Sequence, residues 1–236
     1  MSKVRIYIPE EETGVNLKIE DRKVLHKIKD VLALKTSEKI YTFDGHGKEY
    51  VYEIESINRH CISLTNRQLN RESKETKNKI VLAIPLLKEQ KIEYILEKAT
   101  EMGAAEFQPY VCERSIREKP SQGKTQRWAR IIEEATRQSD RIWIPKINEL
   151  ANFDELIKKD FEVKLCASIG GEYIQSALIP DAEKIFLMVG PEGDFSPQEL
   201  VRMKTYGFTF MKLAENILRV ETASIFMVGM VNYLLS

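Results

Sequence analysis

The chain has 236 residues, of which 43% are hydrophobic and 31% charged, and its formal net charge is zero. At roughly 100–200 residues per domain, this length allows one large domain or two small ones. The composition is that of an ordinary globular protein, and it excludes a collagen, a disulfide-rich scaffold, a disordered tail protein and a histone-like polycation.

The first 70 residues carry short β-like runs that are separated by turn signals. The predicted strands are 4–8, 39–43, 50–57 and 60–65. One helical stretch, about 21–34, interrupts them, because its apolar residues recur at helical spacing. This pattern predicts a small β-rich barrel with one helix.

The remainder of the chain has a different texture. The stretch 71–78 is charged and contains no apolar residue, which predicts a linker. After it, apolar runs alternate with amphipathic segments. The predicted strands are 80–84, 107–111, 163–167, 185–189 and 208–213, and the predicted helices are 89–102, 126–138, 196–206 and 222–235. The alternation predicts an α/β architecture with a mainly parallel sheet.

Charge is unevenly distributed along the chain. Residues 74–146 are basic on balance, whereas 147–236 are acidic. This asymmetry suits a polyanionic partner held by one surface, and scattered surface charge would give the same counts.

The cysteines Cys61, Cys112 and Cys166 are widely spaced and form no Cys-x-x-Cys pair, which argues against a zinc knuckle or a redox pair. Reduced thiols in a cytoplasmic protein are therefore expected. The three histidines show no metal-binding spacing, so no metal site is expected. The N-terminus lacks the apolar segment of a signal peptide, and the most apolar run, 223–235, is too short to span a bilayer; no membrane association is expected.

Two predicted strand ends are unusual, and ligands of parallel sheets bind beyond the carboxyl ends of the strands. The first is Gly190-Pro-Glu-Gly193, which precedes a helix whose capping box starts at Ser196. The glycines permit close approach of backbone to a ligand, and a plain strand-to-helix turn would use them equally well. The second end holds Arg219 and Glu221 before the last helix, where they would bind a ligand or cap that helix.

Further motifs extend this pattern over nearly the whole chain. They are Phe43-Asp-Gly45 with Glu49, Glu97-Lys-Ala-Thr-Glu-Met-Gly103, Glu113-Arg-Ser115, Glu134-Ala-Thr-Arg-Gln-Ser-Asp-Arg141 followed by Pro145, and Ile217-Leu-Arg-Val-Glu-Thr-Ala223. Each motif alone is weak to moderate evidence, but the ordered set is specific. In order and spacing it resembles the RsmE family, which are SPOUT-class methyltransferases that methylate N3 of a uridine in 16S ribosomal RNA.

The resemblance implies a fold and partners. It implies a PUA-like β-barrel that binds RNA at 1–72 and a SPOUT-type α/β methyltransferase domain at 73–236, with a trefoil knot within about 163–236. Neither composition nor periodicity indicates a knot. The resemblance further implies S-adenosylmethionine as methyl donor, 16S rRNA in the small ribosomal subunit as partner, and a cytoplasmic homodimer. Apolar residues of the last helix would fill either the dimer interface or the core: Ile225, Phe226, Val228, Met230 and Leu234.

The resemblance also assigns site residues. The donor pocket is expected to comprise Val189, Gly190, Pro191, Glu192, Gly193, Leu213, Ala214, Asn216, Ile217, Leu218 and Thr222. Arg219 is expected to position the RNA, whereas Glu221 and Thr222 organise the loop and the start of the helix. Glu221 is a candidate for the catalytic base, and a group on the RNA or solvent is the alternative. RNA contacts are expected from Arg5, Arg114, Arg141 and Arg219. The other arginines of the predicted helix 126–138 would either contact the RNA backbone or form a solvent-exposed face of that helix.

The chain departs from the family at four positions. Asp194 and Ala214 stand where the family usually has glycine, and Ala33 and Asn216 where it has arginine. Two cations that could contact RNA are thereby lost, and a carboxylate is added near the donor. Three functions stay open: uridine-N3 methylation of 16S rRNA, methylation of another RNA, and ribosome binding without the chemistry.

Overall fold

The computed structural model describes residues 4–9, 14–74, 77, 79–173 and 182–235. The chain divides into two compact units, 1–75 with 137–144, and 76–136 with 145–236. The sequence predicts one boundary, between 72 and 73, whereas the segment 137–144 also belongs to the first unit. Backbone hydrogen bonds hold this segment there: Gly47 N donates to Ile142 O over 3.2 Å, and Ile144 N donates to Gly45 O over 3.0 Å.

The first unit is built on a five-stranded sheet. Its strands are β1 (Arg5–Tyr7), β2 (Leu17–Ile19), β3 (Lys39–Phe43), β4 (Lys48–Ile57) and β5 (Ile62–Glu72). They lie in the order β1-β3-β4-β5-β2, with β1 parallel to β3 and the other pairs antiparallel. Alternate strand residues such as Tyr52, Ile54 and Leu64 are buried in its core, as expected for strands with one face inward.

The helix of the first unit is shorter than the sequence predicted. The α-helix α1 covers Arg22–His26, and a π-helical turn, Lys27–Val31, continues it. Asp21 caps α1 by accepting hydrogen bonds from two backbone N–H groups of the first turn. The wider turn, closed by Leu32 N donating to Lys27 O, rotates Val31 off the apolar face and leaves it 65% exposed.

The stretch 71–78 was predicted to be a linker, and its first two residues are not. Strand β5 continues to Glu72 and pairs with β4 through Arg71 opposite Glu49. The Arg71 guanidinium also donates to the carboxylates of Glu49 and Asp140. Ion pairs therefore hold a strand end that has no apolar side chain to bury. Residues 75, 76 and 78 of this stretch lie outside the described residues.

The second unit contains the parallel sheet that the alternating pattern predicted. Its strands are β6 (Lys79–Pro85), β7 (Glu106–Val111), β8 (Lys146–Ile147), β9 (Ala151–Asn152), β10 (Val163–Glu172), β11 (Lys184–Met188) and β12 (Thr209–Met211). They lie in the order β12-β10-β11-β6-β7-β8, with β9 also beside β7, and every pair is parallel. The α/β class is confirmed; β8 and β9, with two residues each, were too short to be predicted.

The helices that follow in the chain are α2 (Glu89–Glu101), α3 (Gln122–Gln138), α4 (Phe153–Leu156), α5 (Pro197–Thr205) and α6 (Val220–Leu235). They belong to the second unit, except for the last two residues of α3. The predicted capping box of α5 is confirmed, because Ser196 and Glu199 each accept a hydrogen bond from the other's backbone N–H. Helix α6 packs on α2 and β6 through its buried side chains, and these include Val228, which is therefore a core residue. Among the described helices, none has the length and apolar character to cross a bilayer.

Candidate active site

A cavity of about 400 Å³ lies at the carboxyl ends of β10, β11 and β12, beside the first turn of α6. Parallel strands send their loops to one edge of a sheet, and this is where such folds bind ligands. Two segments supply most of the wall: the first loop, 189–195, and the second loop, 212–219. All the residues expected in the donor pocket line the cavity except Gly193 and Thr222, and Arg219 also lines it.

The first loop is a tight turn that depends on Gly190. Asp194 N donates to Pro191 O over 2.9 Å, which closes the turn. A Cβ on Gly190 would lie 3.0 Å from Asp194 Oδ1 and 3.1 Å from the ring of Phe195, so no side chain fits there without displacement. The hydroxyl of Tyr110 donates to Val189 O over 2.7 Å and anchors the start of the loop.

Asp194 adopts a backbone conformation that explains the glycine usual in the family. Its φ is +56°, in the left-handed region, where aspartate is tolerated better than most residues. Its Oδ1 accepts a hydrogen bond from Phe195 N over 2.8 Å. The turn therefore forms with aspartate in place of glycine, and Asp194 lines the cavity.

Arg114 holds the first loop from outside. Its Nη1 donates to Gly193 O over 2.7 Å, and its aliphatic stem lies against Gly193, where a Cβ would approach Arg114 Cδ to 3.3 Å. Next to it, Glu113 N donates to the buried Glu199, which also caps α5. The motif 113–115 thus fixes the loop and the helix that follows it, and Arg114 has a structural contact besides its predicted contact with RNA.

The second loop contains backbone N–H groups that meet no acceptor within the described residues. It begins where Lys212 N donates to Glu172 O over 2.9 Å and ends where Arg219 O accepts from Ala223 N over 2.8 Å. Between these points, the N–H groups of Ala214, Asn216, Ile217 and Leu218 donate to no acceptor within the described residues. These N–H groups are available to water or to a ligand, and Ile217 is 80% exposed.

Lys91, on the first turn of α2, lines the cavity and was not singled out from the sequence. Its Nζ lies 2.7 Å from Glu192 Oε1 and 3.5 Å from Glu221 Oε2. The hydrogen bond to Glu192 raises the pKa of the Lys91 ammonium and lowers the pKa of the Glu192 carboxyl, so both groups are charged at neutral pH. The sequence signal that could have identified Lys91 as a site residue is its position shortly after the carboxyl end of β6.

Other lining residues were also missed. Ala167, Ser168 and Ile169 belong to β10, and Lys212 follows β12. Their strands were predicted, but the order of strands in the sheet was not, and that order brings these ends together. Lys212 Nζ pairs with Glu215 over 2.8 Å at the rim of the cavity.

Of the residues predicted to contact RNA, Arg5 has intramolecular partners within the first unit. It is buried at 5% exposure, and its guanidinium donates to Glu49 Oε2, Arg137 O and Arg141 O. These partners occupy all three of its nitrogens, so Arg5 is a structural residue of the first unit. Arg141 is half-buried there, and burial lowers its pKa to about 10, which leaves it charged at neutral pH.

Among the described residues, no group of three or more histidine, cysteine, aspartate or glutamate side chains is placed to hold a metal ion. Glu221 and Thr222, on the first turn of α6, lie outside the cavity lining. The assigned roles of these site residues stay predictions.

All the residues that line the cavity lie within a segment that matches a known domain family. The RNA methyltransferase domain family matches residues 74–232. The chain therefore contains an RNA methyltransferase domain. A relative from Rickettsia conorii, named ribosomal RNA small subunit methyltransferase E, is 30% identical over 98% of this chain and 95% of its own. A Synechocystis protein of that name is 31% identical over 89% of this chain and 71% of its own.

The chain belongs to the ribosomal RNA small subunit methyltransferase E family, which confirms the resemblance to RsmE. A solved methyltransferase structure from Legionella pneumophila, with bound S-adenosylmethionine, superposes with a TM-score of 0.85 at 25% identity. The match covers 99% of this chain and 98% of that one.

Proposed function

We propose that the chain transfers a methyl group from S-adenosylmethionine to N3 of one uridine of 16S rRNA in the small ribosomal subunit. The observation that carries this proposal is the cavity between the two loops at the carboxyl ends of β10, β11 and β12. Family membership supports the methyltransferase class, and the names of the relatives support small-subunit rRNA as substrate. A cytoplasmic location follows from that substrate.

The residues present fit the methyl donor. The cavity of about 400 Å³ lies within the range of roughly 300–1,000 Å³ typical of small-molecule sites. Apolar side chains of Val189, Leu213 and Leu218 can cover an adenine face, while the unpaired N–H groups of the second loop can read its edge. The donor supplies an electrophilic methyl group on a sulfonium, so the chain needs chiefly to position N3 and favour loss of its proton.

Arg219 is assigned to the RNA. Its side chain lines the cavity, is exposed, and meets no carboxylate within the described residues. A guanidinium so placed can hold a phosphate through two hydrogen bonds. Thr222 organises the start of α6, and Glu221 contacts Lys91.

The second unit is proposed to be knotted within about 163–236. Strand β12 lies at the sheet edge beside β10, whereas α6 packs on β6 and β11, so the chain must return past the end of β10. A Cβ on Gly171 would lie 2.7 Å from the backbone of Met211, which supports a close passage of the two segments. Residues 174–181 of the connection lie outside the described residues.

A PUA-like, RNA-binding role is proposed for the first unit, supported by its small sheet with one capped helix.

A homodimer is proposed through α2 and α6. Phe226 and Tyr233 lie seven residues apart on one face of α6 and are 46% and 79% exposed. Tyr94, on the adjacent α2, and Met102, which caps the C-terminus of that helix, are 49% and 44% exposed. Exposed apolar clusters of this kind mark interaction surfaces.

Primer extension tests the function directly. Small subunits assembled from unmodified 16S rRNA are incubated with the chain and S-adenosylmethionine, and reverse transcription is then run through the rRNA. A methyl group on N3 blocks Watson–Crick pairing, so one new stop at a single uridine is expected. Binding of the subunit with no new stop would contradict the proposal and favour a binding factor without the chemistry. A methylated product on another RNA alone would favour a different substrate.

A further inference from the structure

One cation joins the two segments that flank the cavity. Lys91 reaches it from α2, and its Nζ contacts Glu192 of the first loop and Glu221 of α6 at 2.7 and 3.5 Å. The side chain of Lys91 remains 30% exposed, and that of Glu221 is 15% exposed. The ammonium is therefore fixed in place but still reachable from the cavity.

The three cations that line the cavity have different surroundings. Lys212 pairs with Glu215, a neighbour on its own loop. Arg219 is exposed at the end of the second loop, where RNA backbone can reach it. Lys91 is held by carboxylates from two separate elements, and Lys88, just before α2, adds positive charge near Glu192. Among these three, Lys91 is the cation with the most restricted position.

We propose that Lys91 is a catalytic residue that stabilises the ionised uracil of the methyl acceptor, an inference that rests on the proposed function. N3 of uracil lies between two carbonyl groups, so loss of its proton spreads negative charge over O2 and O4. In this step the N3–H bond breaks, its electron pair stays on N3, and the proton passes to solvent water. A fixed ammonium beside either oxygen favours the anion. N3 then uses the same pair to bond the methyl carbon as the methyl–sulfur bond of the donor breaks, and the electrons of that bond stay on the sulfur, which leaves as a neutral thioether.

Glu221 acts through Lys91 in this arrangement. It does not line the cavity, and its Oε2 is buried and accepts no hydrogen bond within the described residues. It is therefore poorly placed to take the N3 proton. Its contact with Lys91 instead orients the ammonium, so Glu221 is a positioning residue.

Three variants of Lys91 and one control variant separate the effect of its charge from the effect of its structural contacts. Lys91→Met removes the cation, Lys91→Gln keeps a hydrogen-bond donor without charge, and Lys91→Arg keeps the charge. Lys204→Met is the control, because Lys204 is exposed on α5 and does not line the cavity. Each is assayed on small subunits assembled from ordinary 16S transcript and from transcript made with 5-fluorouridine. Fluorine withdraws electrons from the ring, so N3 of 5-fluorouridine loses its proton more readily.

Lys91→Met and Lys91→Gln are expected to lower the rate about 100-fold on ordinary RNA, the usual scale for losing one charge-stabilising group. The deficit is expected to shrink about tenfold on fluorinated RNA, in line with easier ionisation. Lys91→Arg is expected to keep most of the rate, and donor affinity by calorimetry is expected to stay unchanged in all four.

An equal deficit on both RNAs, or recovery by Lys91→Gln, would overturn the proposal, since either would show that Lys91 only holds the loops. Full activity of Lys91→Met would also overturn it. If the native chain itself leaves both RNAs unmodified, the proposed function has failed instead, and the two failures are distinguished.

Discussion

Arg5 and Glu49 form a buried ion pair in which Arg5 Nε donates to Glu49 Oε2 over 2.8 Å, at side-chain exposures of 4% and 0%. Arg5 lies on β1 and Glu49 on β4, two strands that do not pair with each other. The remaining nitrogens of Arg5 donate to the carbonyl groups of Arg137 and Arg141. One guanidinium thus holds the sheet and the returning segment 137–144 together.

Removing this cation should destabilise the first unit. Arg5→Met leaves the buried Glu49 carboxylate without its closest cation. Such a loss typically lowers the free energy of unfolding by about 3 kcal/mol or more. Arg71 and Asn70 still contact Glu49, so the low end of that range is expected. Urea unfolding can be followed through Trp143 in a Trp128→Phe background, since Trp143 belongs to the first unit.

Arg59→Met is the control for that measurement, because Arg59 is an exposed arginine of the same unit. The control is expected to unfold at the same midpoint as its parent. If Arg5→Met also unfolded there, the ion pair would not hold the segment.

Two adjacent glycines provide a matched test of the close passage between β10 and β12. A Cβ on Gly171 would meet the backbone of Met211 and Phe210 at 2.7 Å, whereas a Cβ on Gly170 would meet nothing within 4 Å. Gly171→Ala is expected to lower the free energy of unfolding by about 2 kcal/mol, as overpacking usually does. Gly170→Ala is expected to be neutral. Equal stabilities of the two variants would show that the strands are not packed so closely.

Arg219→Ala should abolish methyl transfer while leaving stability almost unchanged. The side chain lines the cavity and is exposed, so the fold loses little packing when it is removed. Lys204→Ala, at an exposed position on α5, is the control and should retain full activity. The assay is primer extension, with thermal unfolding measured in parallel. Normal methylation by Arg219→Ala would exclude the assigned role.

The cysteines should differ in reactivity. Cys112 and Cys166 are buried, and burial raises the pKa of both thiols, so they stay protonated at pH values where an ordinary thiol begins to ionise. Cys61 is only partly buried. Titration of the native chain with a thiol reagent near pH 8 should label Cys61 first, and denaturation should release the other two. Early labelling of Cys112 or Cys166, located by mass spectrometry of peptides, would contradict this structure.

Local features were predictable from the sequence, because each depends on a few neighbouring residues. The capping box of Ser196 and Glu199 is an example, since two residues three positions apart suffice to define it. The parallel sheet was predictable for a similar reason: apolar runs such as 185–189 are typical of strands buried on both faces. The motifs shared with the RsmE family predicted the class of enzyme, because they place the same chemical groups in the same order along the chain.

Relationships between distant residues were decided by the tertiary structure alone. Arg5 is predicted from the sequence to contact RNA, and only the tertiary structure shows that it is buried against Glu49, 44 positions away. Lys91 became a site residue only when the strand order brought β6 next to β11 and so placed α2 near the first loop. The sequence by itself determined local conformation and chemical class. Which charges are buried and which face the cavity depended on long-range packing, which local patterns do not encode.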